Sequence, residues 1–448
     1  MAIGLIALAV GCRRDAAPED RAYGVAPAPA AVRPFRLGVP DVVLLVTGAT
    51  EGILEVCNCQ GPMPGGLPRR GGLVASYRAA WPNLLLIDLG NSLWFEPRDL
   101  RNQFLWNGYR RMGYDAVVLG SHEWAVPGDC LRRLVDEAGV TPLATTVASP
   151  DLTPASVVTR TWPGGRVAVL ADVRPSALAY LPPERRKRLA LASRAELARG
   201  VARARDDGFI VILVLHGPAR DVPSAVDLGP DLIVRGHTKR SAPEMMHVGG
   251  TPVVQVGGQT DVGVVAMTCR DGRIAGLEYR LETVDTRWPI DTRVLATYKQ
   301  YARTAMAAAL AAPRAEGLAT VPSATCGRCH EKAHAAWRTT RHAHAYATLR
   351  KADRTMDPEC IGCHTTGFGM RHGFTTIRET PGMANVNCQD CHRHTVAEHQ
   401  RPGWRPPPMT ADVCTRCHTP ATDPDFTLAV RRAAIRCPAH VVSNPEAR

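Results

Sequence analysis

Aromatic residues are scarce in this chain, at 5% of 448 positions, which excludes a core built throughout on Phe, Tyr and Trp. Some other flat apolar group must supply such area wherever local side chains do not. Dense Lys/Arg tracts are also missing. The formal charge of +12 is spread along the chain and excludes a concentrated nucleic-acid-binding surface. Long apolar runs are lacking as well. The most apolar stretch, MAIGLIALAVGC at residues 1–12, is too short to span a bilayer and has about the length of a signal-peptide core.

Cysteine is plentiful by contrast. Of 14 cysteines, eight fall into four C-x-x-C pairs, leaving Cys12, Cys57, Cys59, Cys130, Cys269 and Cys437. Such usage fits metal or haem chemistry in an extracytoplasmic compartment. The ending AVGC resembles a bacterial lipoprotein cleavage box, with Cys12 as the lipidated residue. A Pro/Ala-rich tether at 13–37 follows, without the apolar content of a packed segment.

Residues 38–285 alternate short β-branched runs with helical segments. DVVLLVTG, NLLLIDLG, YDAVVLGS, RVAVLADV, FIVILVLHG, DLIVRGHT and TPVVQVGG predict buried strands, most of them ending in Gly, Asp or His. The pattern predicts an α/β layered domain with its polar residues at strand C-termini, where such sheets place chemistry. Asp88 and Asp172, at strand ends, are expected to cap. An Ala-rich helical connector is expected over 286–320. In the last segment, 321–448, apolar runs vanish and Cys, His, Pro and Gly dominate.

The four pairs of that segment read CGRCH, CIGCH, CQDCH and CTRCH. His is 15 of 448 residues, yet it follows the second cysteine every time, a coincidence expected by chance roughly once in a million. Paired zinc knuckles have no use for histidine at that position. Covalent haem does: two thiols add to the vinyl groups and the adjacent imidazole ligates the iron. The sequence therefore predicts four haem c groups. Their thioether residues are Cys326, Cys329, Cys360, Cys363, Cys388, Cys391, Cys414 and Cys417, and their proximal ligands are His330, His364, His392 and His418. Of the remaining histidines, His342, His344 and His399 are the favoured distal ligands. His372, His394 and His440 rank lower, and His334 is assigned to the surface.

The run CGRCH…AW…T..HAHA..TL, CIGCHTTGF, NVNCQDCHRHTVAEH and CTRCHTP…PDF resembles the tetrahaem cytochrome c family linked to hydroxylamine oxidation, over residues 323–437. That resemblance implies closely packed haems, mostly bis-histidine, relaying electrons between partners. It matches His342 and His399 to distal positions. It places a late histidine near AAIRCPAH, where Cys437 and His440 stand, so that one haem is left with Cys, a shifted His440 or an open position.

TGATEGILEVCNCQ, LLIDLGNSLW, VVLGSHEW, VILVLHG and DLIVRGHTK, in that order, resemble the calcineurin-like metallophosphoesterases of the periplasmic 5′-nucleotidase branch. The resemblance implies a four-layer α/β sandwich with two bridged metals. Its ligand positions fall on Ala49, Glu51, Asn91, Ser121, His216, His237 and Lys239, and only His216 and His237 are unchanged. Ala cannot ligate, Lys repels a cation, and Asn91 removes the negative bridge between the metals. What remains is at most one weak divalent site on Glu51, His216 and His237. Cys57 and Cys59 form a Cys-x-Cys at the mouth of that site, open to a role as soft metal ligands or redox thiols or to a structural link with Cys130 or Cys269. His122 is expected as an ordinary loop histidine.

The sequence thus predicts a metallophosphoesterase-like α/β sandwich followed by a mainly α/irregular multihaem cytochrome domain. Its expected partners are periplasmic or membrane redox proteins and, through Cys12, the membrane; no nucleic acid is expected. The expected place is the periplasmic side of a bacterial envelope, and the function is electron transfer with phosphoesterase activity lost. The alternative is a redox enzyme or residual metal-dependent hydrolase coupled to the haems.

Overall fold

Each of the seven apolar runs is a strand in the computed structural model, which describes residues 28–56, 64–95, 99–405, 409–420, 422–423 and 425–435. By its packing the chain divides into two units, the break falling between Tyr298 and Lys299 within the helix Thr292–Ala311.

The first unit holds two six-stranded mixed sheets. One runs Arg273–Thr283, Asp261–Arg270, Val42–Thr47, Leu84–Asp88, Ala116–Val118, Pro142–Leu143, with the last four strands parallel. The other runs Met246–Val248, Thr251–Gln255, Leu232–Arg235, Ile210–His216, Gly165–Val173, Val158–Trp162, with its four central strands parallel. VVLLVT, LLLID and IVILVLH are buried at every position, so neither sheet turns a face to water at its centre. On the second sheet Leu197, Val201, Val222 and Ala225 from two helices pack over Leu170, Leu213, Leu215 and Ile233. This is the mixed, layered α/β arrangement that the alternating pattern predicts.

The second unit is helical and irregular, made of short helices such as Glu331–Arg338, Ala345–Lys351 and Pro358–His364. Its apolar core is small: Met306, Leu349, Ile361, Phe374, Met383 and Ala384.

The two aspartates do more than cap. Asp88 does accept from the Gly90 N–H at 3.0 Å, but its other oxygen accepts from Thr47 Oγ1 at 2.7 Å and Tyr109 OH at 2.8 Å. Full burial pushes its pKa up to about 7. Asp172 lies inside its strand and pairs with Arg174 at 3.1 Å.

Candidate functional site

In the first unit the loops after the parallel strands converge. Ala49 N–H donates to Gly90 O at 3.0 Å and Glu51 N–H to Asn91 O at 3.0 Å. Gly90 has φ +91°, and a Cβ there would stand 3.0 Å from the Gly120 backbone, so only glycine lets these two loops touch. Glu123 is fully buried and accepts from the N–H groups of Asn91, Ser92, Leu93 and Gly120 at 2.7–3.0 Å, which fixes the loops to each other.

Four of the positions that the resemblance matches to metal ligands share an unusual backbone. Ala49, Glu51, Asn91 and His237 all lie at φ between +50° and +56°. Asn tolerates this region, whereas Ala gains nothing from its side chain in return for a cost of about 1 kcal/mol.

The side chains now satisfy one another. Lys239 Nζ sits 3.1 Å from Glu51 Oε2, so an ammonium neutralises the carboxylate that a metal would need. His216 is fully buried, and burial with the neighbouring His237 lowers its pKa to about 3. Its Nδ1 faces Leu89 O at 2.9 Å and therefore carries the proton. Its Nε2 must then accept, from Ser121 N–H at 3.3 Å and from His237 Nδ1 at 3.2 Å. Asn91 Oδ1 accepts from Ser121 Oγ and His122 N–H at 3.0 and 3.1 Å. His122 lies in the short helix Ser121–Ala125 rather than in a loop, with its Nδ1 3.0 Å from Leu93 O. Among the described residues no group of three or more His, Cys, Asp or Glu is arranged to hold a metal ion. These residues do not fit a two-metal centre. Cys130 is disulfide-bonded and Cys269 is a free thiol, while Cys12, Cys57, Cys59, Cys437 and His440 lie outside the described residues.

In the second unit each motif is wound as a helical turn. The amide of His330 donates to Cys326 O at 2.9 Å, that of His392 to Cys388 O at 2.8 Å, and that of His418 to Cys414 O at 2.9 Å. The second motif closes the helix Pro358–His364, capped by Asp357. Cysteines at i and i+3 and histidine at i+4 then share one face, as two thioethers and one axial imidazole on a single porphyrin require. None of the eight motif cysteines is in a disulfide. Cys326 hydrogen-bonds Cys388 and Cys363 hydrogen-bonds Cys417, and these bonds lower the pKa of Cys326 and of Cys363, each to about 7. The first motif thus touches the third, and the second touches the fourth.

Three of the four proximal candidates face a second imidazole, His392 with His394 at 6.5 Å and 62° being the most widely spaced pair. His330 Nε2 and His399 Nε2 stand 3.1 Å apart, across 69 residues of chain. The rings of His342 and His418 are 6.2 Å apart, inclined at 62°. Two imidazoles that share one metal, at about 2 Å per bond, would have nitrogens about 4 Å apart, so the 3.1 Å contact of His330 with His399 would have to open by about 1 Å to admit an iron. His399 Nδ1 is buried without a hydrogen-bond partner among the described residues, while its Nε2 meets His330. Burial holds His342 and His392 below the usual histidine range, aided by His418 and His399 respectively, which keeps them neutral with a lone pair to offer. These residues fit covalent haem.

The other histidines are placed differently. His364 turns Nδ1 to Ala345 O at 2.8 Å. His344 is exposed, its Nε2 3.0 Å from Arg338 O, and faces no second imidazole among the contacts described. His334 stacks on Trp337 at 5.4 Å, and His372 is exposed. His394 lies 5.1 Å from His399 and 4.4 Å from Trp404, which itself packs on His399 at 4.8 Å. The motif reading does not single out Trp404 or Asp423. The one available signal is position: a lone Trp shortly after a candidate ligand, and an acid five residues after a motif histidine.

The family model described as "Cytochrome c554 and c-prime" matches residues 325–393. Cytochrome c-554 of Nitrosomonas europaea is 32% identical over 96 residues, 17% of this chain and 41% of that protein. The chain thus spans less than half the length of this curated relative. Among solved structures, the sulfate thiohydrolase SoxB of Thermus thermophilus aligns with a TM-score of 0.54 at 17% identity, over 64% of each chain. A putative 5′-nucleotidase of Staphylococcus aureus gives 0.51 at 19% identity, over 70% of this chain and 66% of that one. A 5′-nucleotidase precursor of Thermus thermophilus gives 0.50 at 18%, over 70% and 68%. At these identities the likeness shows the fold alone. The C-terminal region resembles the cytochrome c554 family, and the N-terminal region has the calcineurin-like phosphoesterase fold.

Proposed function

We propose that the chain is a tetrahaem c-type cytochrome that transfers electrons on the periplasmic side of a bacterial envelope, tethered there by lipid on Cys12. Each haem iron supplies reversible one-electron exchange. The protein's own part is attachment and ligation. The cysteine pairs 326/329, 360/363, 388/391 and 414/417 fix the porphyrins, and His330, His364, His392 and His418 approach from one side. His399 with His330, and His342 with His418, would be the imidazole pairs offered to an iron. The observation that carries this is the invariable histidine after each pair, together with the face-to-face imidazoles of His330 and His399. The disulfide at Cys130 supports an oxidising compartment. No helix among the described residues is long and apolar enough to cross a membrane.

The N-terminal unit acts as a docking or partner-recognition scaffold without phosphoesterase chemistry. Activating water for attack on phosphorus needs a metal clamp, and here the Lys239–Glu51 pair and the His216–His237 contact use up the surviving donors. Purified protein with added manganese and a generic aryl phosphodiester is expected to show no turnover above the metal-only blank. Clear turnover that disappears in His216→Ala would refute the loss of activity.

A further inference from the structure

The imidazoles of the second unit differ in what their second nitrogen meets. His399 Nδ1 meets nothing among the described residues. His364 Nδ1 has a backbone carbonyl, Ala345 O at 2.8 Å, with Thr348 Oγ1 at 3.2 Å. His418 Nδ1 has a carboxylate, Asp423 Oδ2 at 2.8 Å.

That carboxylate is built in. Asp423 is only 2% exposed, and its other oxygen receives Arg431 Nη2 at 2.9 Å from the helix Leu428–Ala434. Between them Phe426 stacks on the His418 ring at 5.0 Å and 24°. Thr422 Oγ1 donates to Cys417 O at 2.6 Å and accepts from Thr419 N–H at 2.9 Å, which turns the chain straight back over the motif. Thr419, Thr422, Asp423, Phe426 and Arg431 thus form a clasp whose polar centre rests on the far nitrogen of one imidazole.

A hydrogen bond from a ligating imidazole to a carboxylate fixes the ring and raises the electron density on the ligating nitrogen. More density there favours the oxidised iron and lowers the reduction potential. A carbonyl does this more weakly. We propose that Asp423 is a positioning residue for His418 that lowers the potential of the fourth-motif haem, with Arg431 moderating its charge. The proposal rests on the haem reading above and assigns a residue that the motifs do not contain.

The test uses the full-length matured protein, with haem content read first by intact mass. In Asp423→Asn the geometry of the acceptor is kept and its charge removed. One midpoint potential is expected to rise while the others stay, its reduced-to-oxidised ratio at fixed potential increasing about tenfold, which is 59 mV for a one-electron couple. In Arg431→Gln the same couple is expected to move downward. A merely structural clasp would give shifts of one sign or none. Full haem content with unchanged potentials in Asp423→Asn, or both variants moving the same way, overturns the assignment. Should Asp423→Asn fail to mature, Arg431→Gln decides alone: a downward shift supports the proposal, while no shift or an upward one overturns it. Wild-type protein without haem would instead overturn the underlying reading.

Discussion

Made in a host that cannot attach haem, the protein is expected to keep its N-terminal unit folded and lose the C-terminal one. Limited proteolysis should cut within residues 299–435 and leave a resistant fragment ending near residue 298. The reason is the distribution of apolar burial. In the first unit whole strands are buried, from Val42–Thr47 to Ile210–His216. In the second, the core consists of Met306, Leu349, Ile361, Phe374, Met383 and Ala384. Among the described residues, so small a buried apolar cluster leaves this unit short of the hydrophobic stabilisation that ordering a chain requires. Porphyrins anchored at four places would supply the missing apolar surface. A haem-free C-terminal unit that melts cooperatively in calorimetry would contradict this.

The second large effect concerns an iron's sixth position. His399→Ala is expected to free the side of the metal opposite His330 and give the reduced protein a carbon-monoxide band that is absent, or smaller by one haem, in the wild type. Because His394 stands 5.1 Å from His399, the double variant His394→Ala/His399→Ala removes the neighbouring imidazole that could move in. His342→Ala should do the same at His418. His344→Ala should not, since that side chain is exposed and turned to Arg338 O. A carbon-monoxide spectrum unchanged in both His399→Ala and His342→Ala would remove these two residues from the iron.

The strands were legible because β-branched runs such as VILVLH carry their periodicity locally, and the haem motifs because thiols and imidazole lie within five residues. What could not be read is long-range. His330 meets His399 across 69 residues, and spacing along the chain does not report which of seven histidines returns to which motif. That Ala49, Asn91 and Lys239 stand where the resembled family has metal ligands was visible in the sequence. That Lys239 reaches back to Glu51, 188 positions away, and neutralises the remaining carboxylate was not. Asp88 and Asp172 show the same limit. An acid at a strand end reads as a cap, yet Asp88 joins Thr47 and Tyr109 from other elements in a buried network. Asp423 could be seen as an acid near a motif, but only the turn at Thr419–Thr422 brings it under His418.

Intact mass spectrometry of the exported, matured protein tests the central claim most directly. The account predicts four covalent haem additions that survive denaturation, lost one at a time when the cysteine pairs 326/329, 360/363, 388/391 and 414/417 are replaced by alanine in turn. A mass equal to that of the bare polypeptide, or a colourless protein carrying zinc at those cysteines, would contradict it.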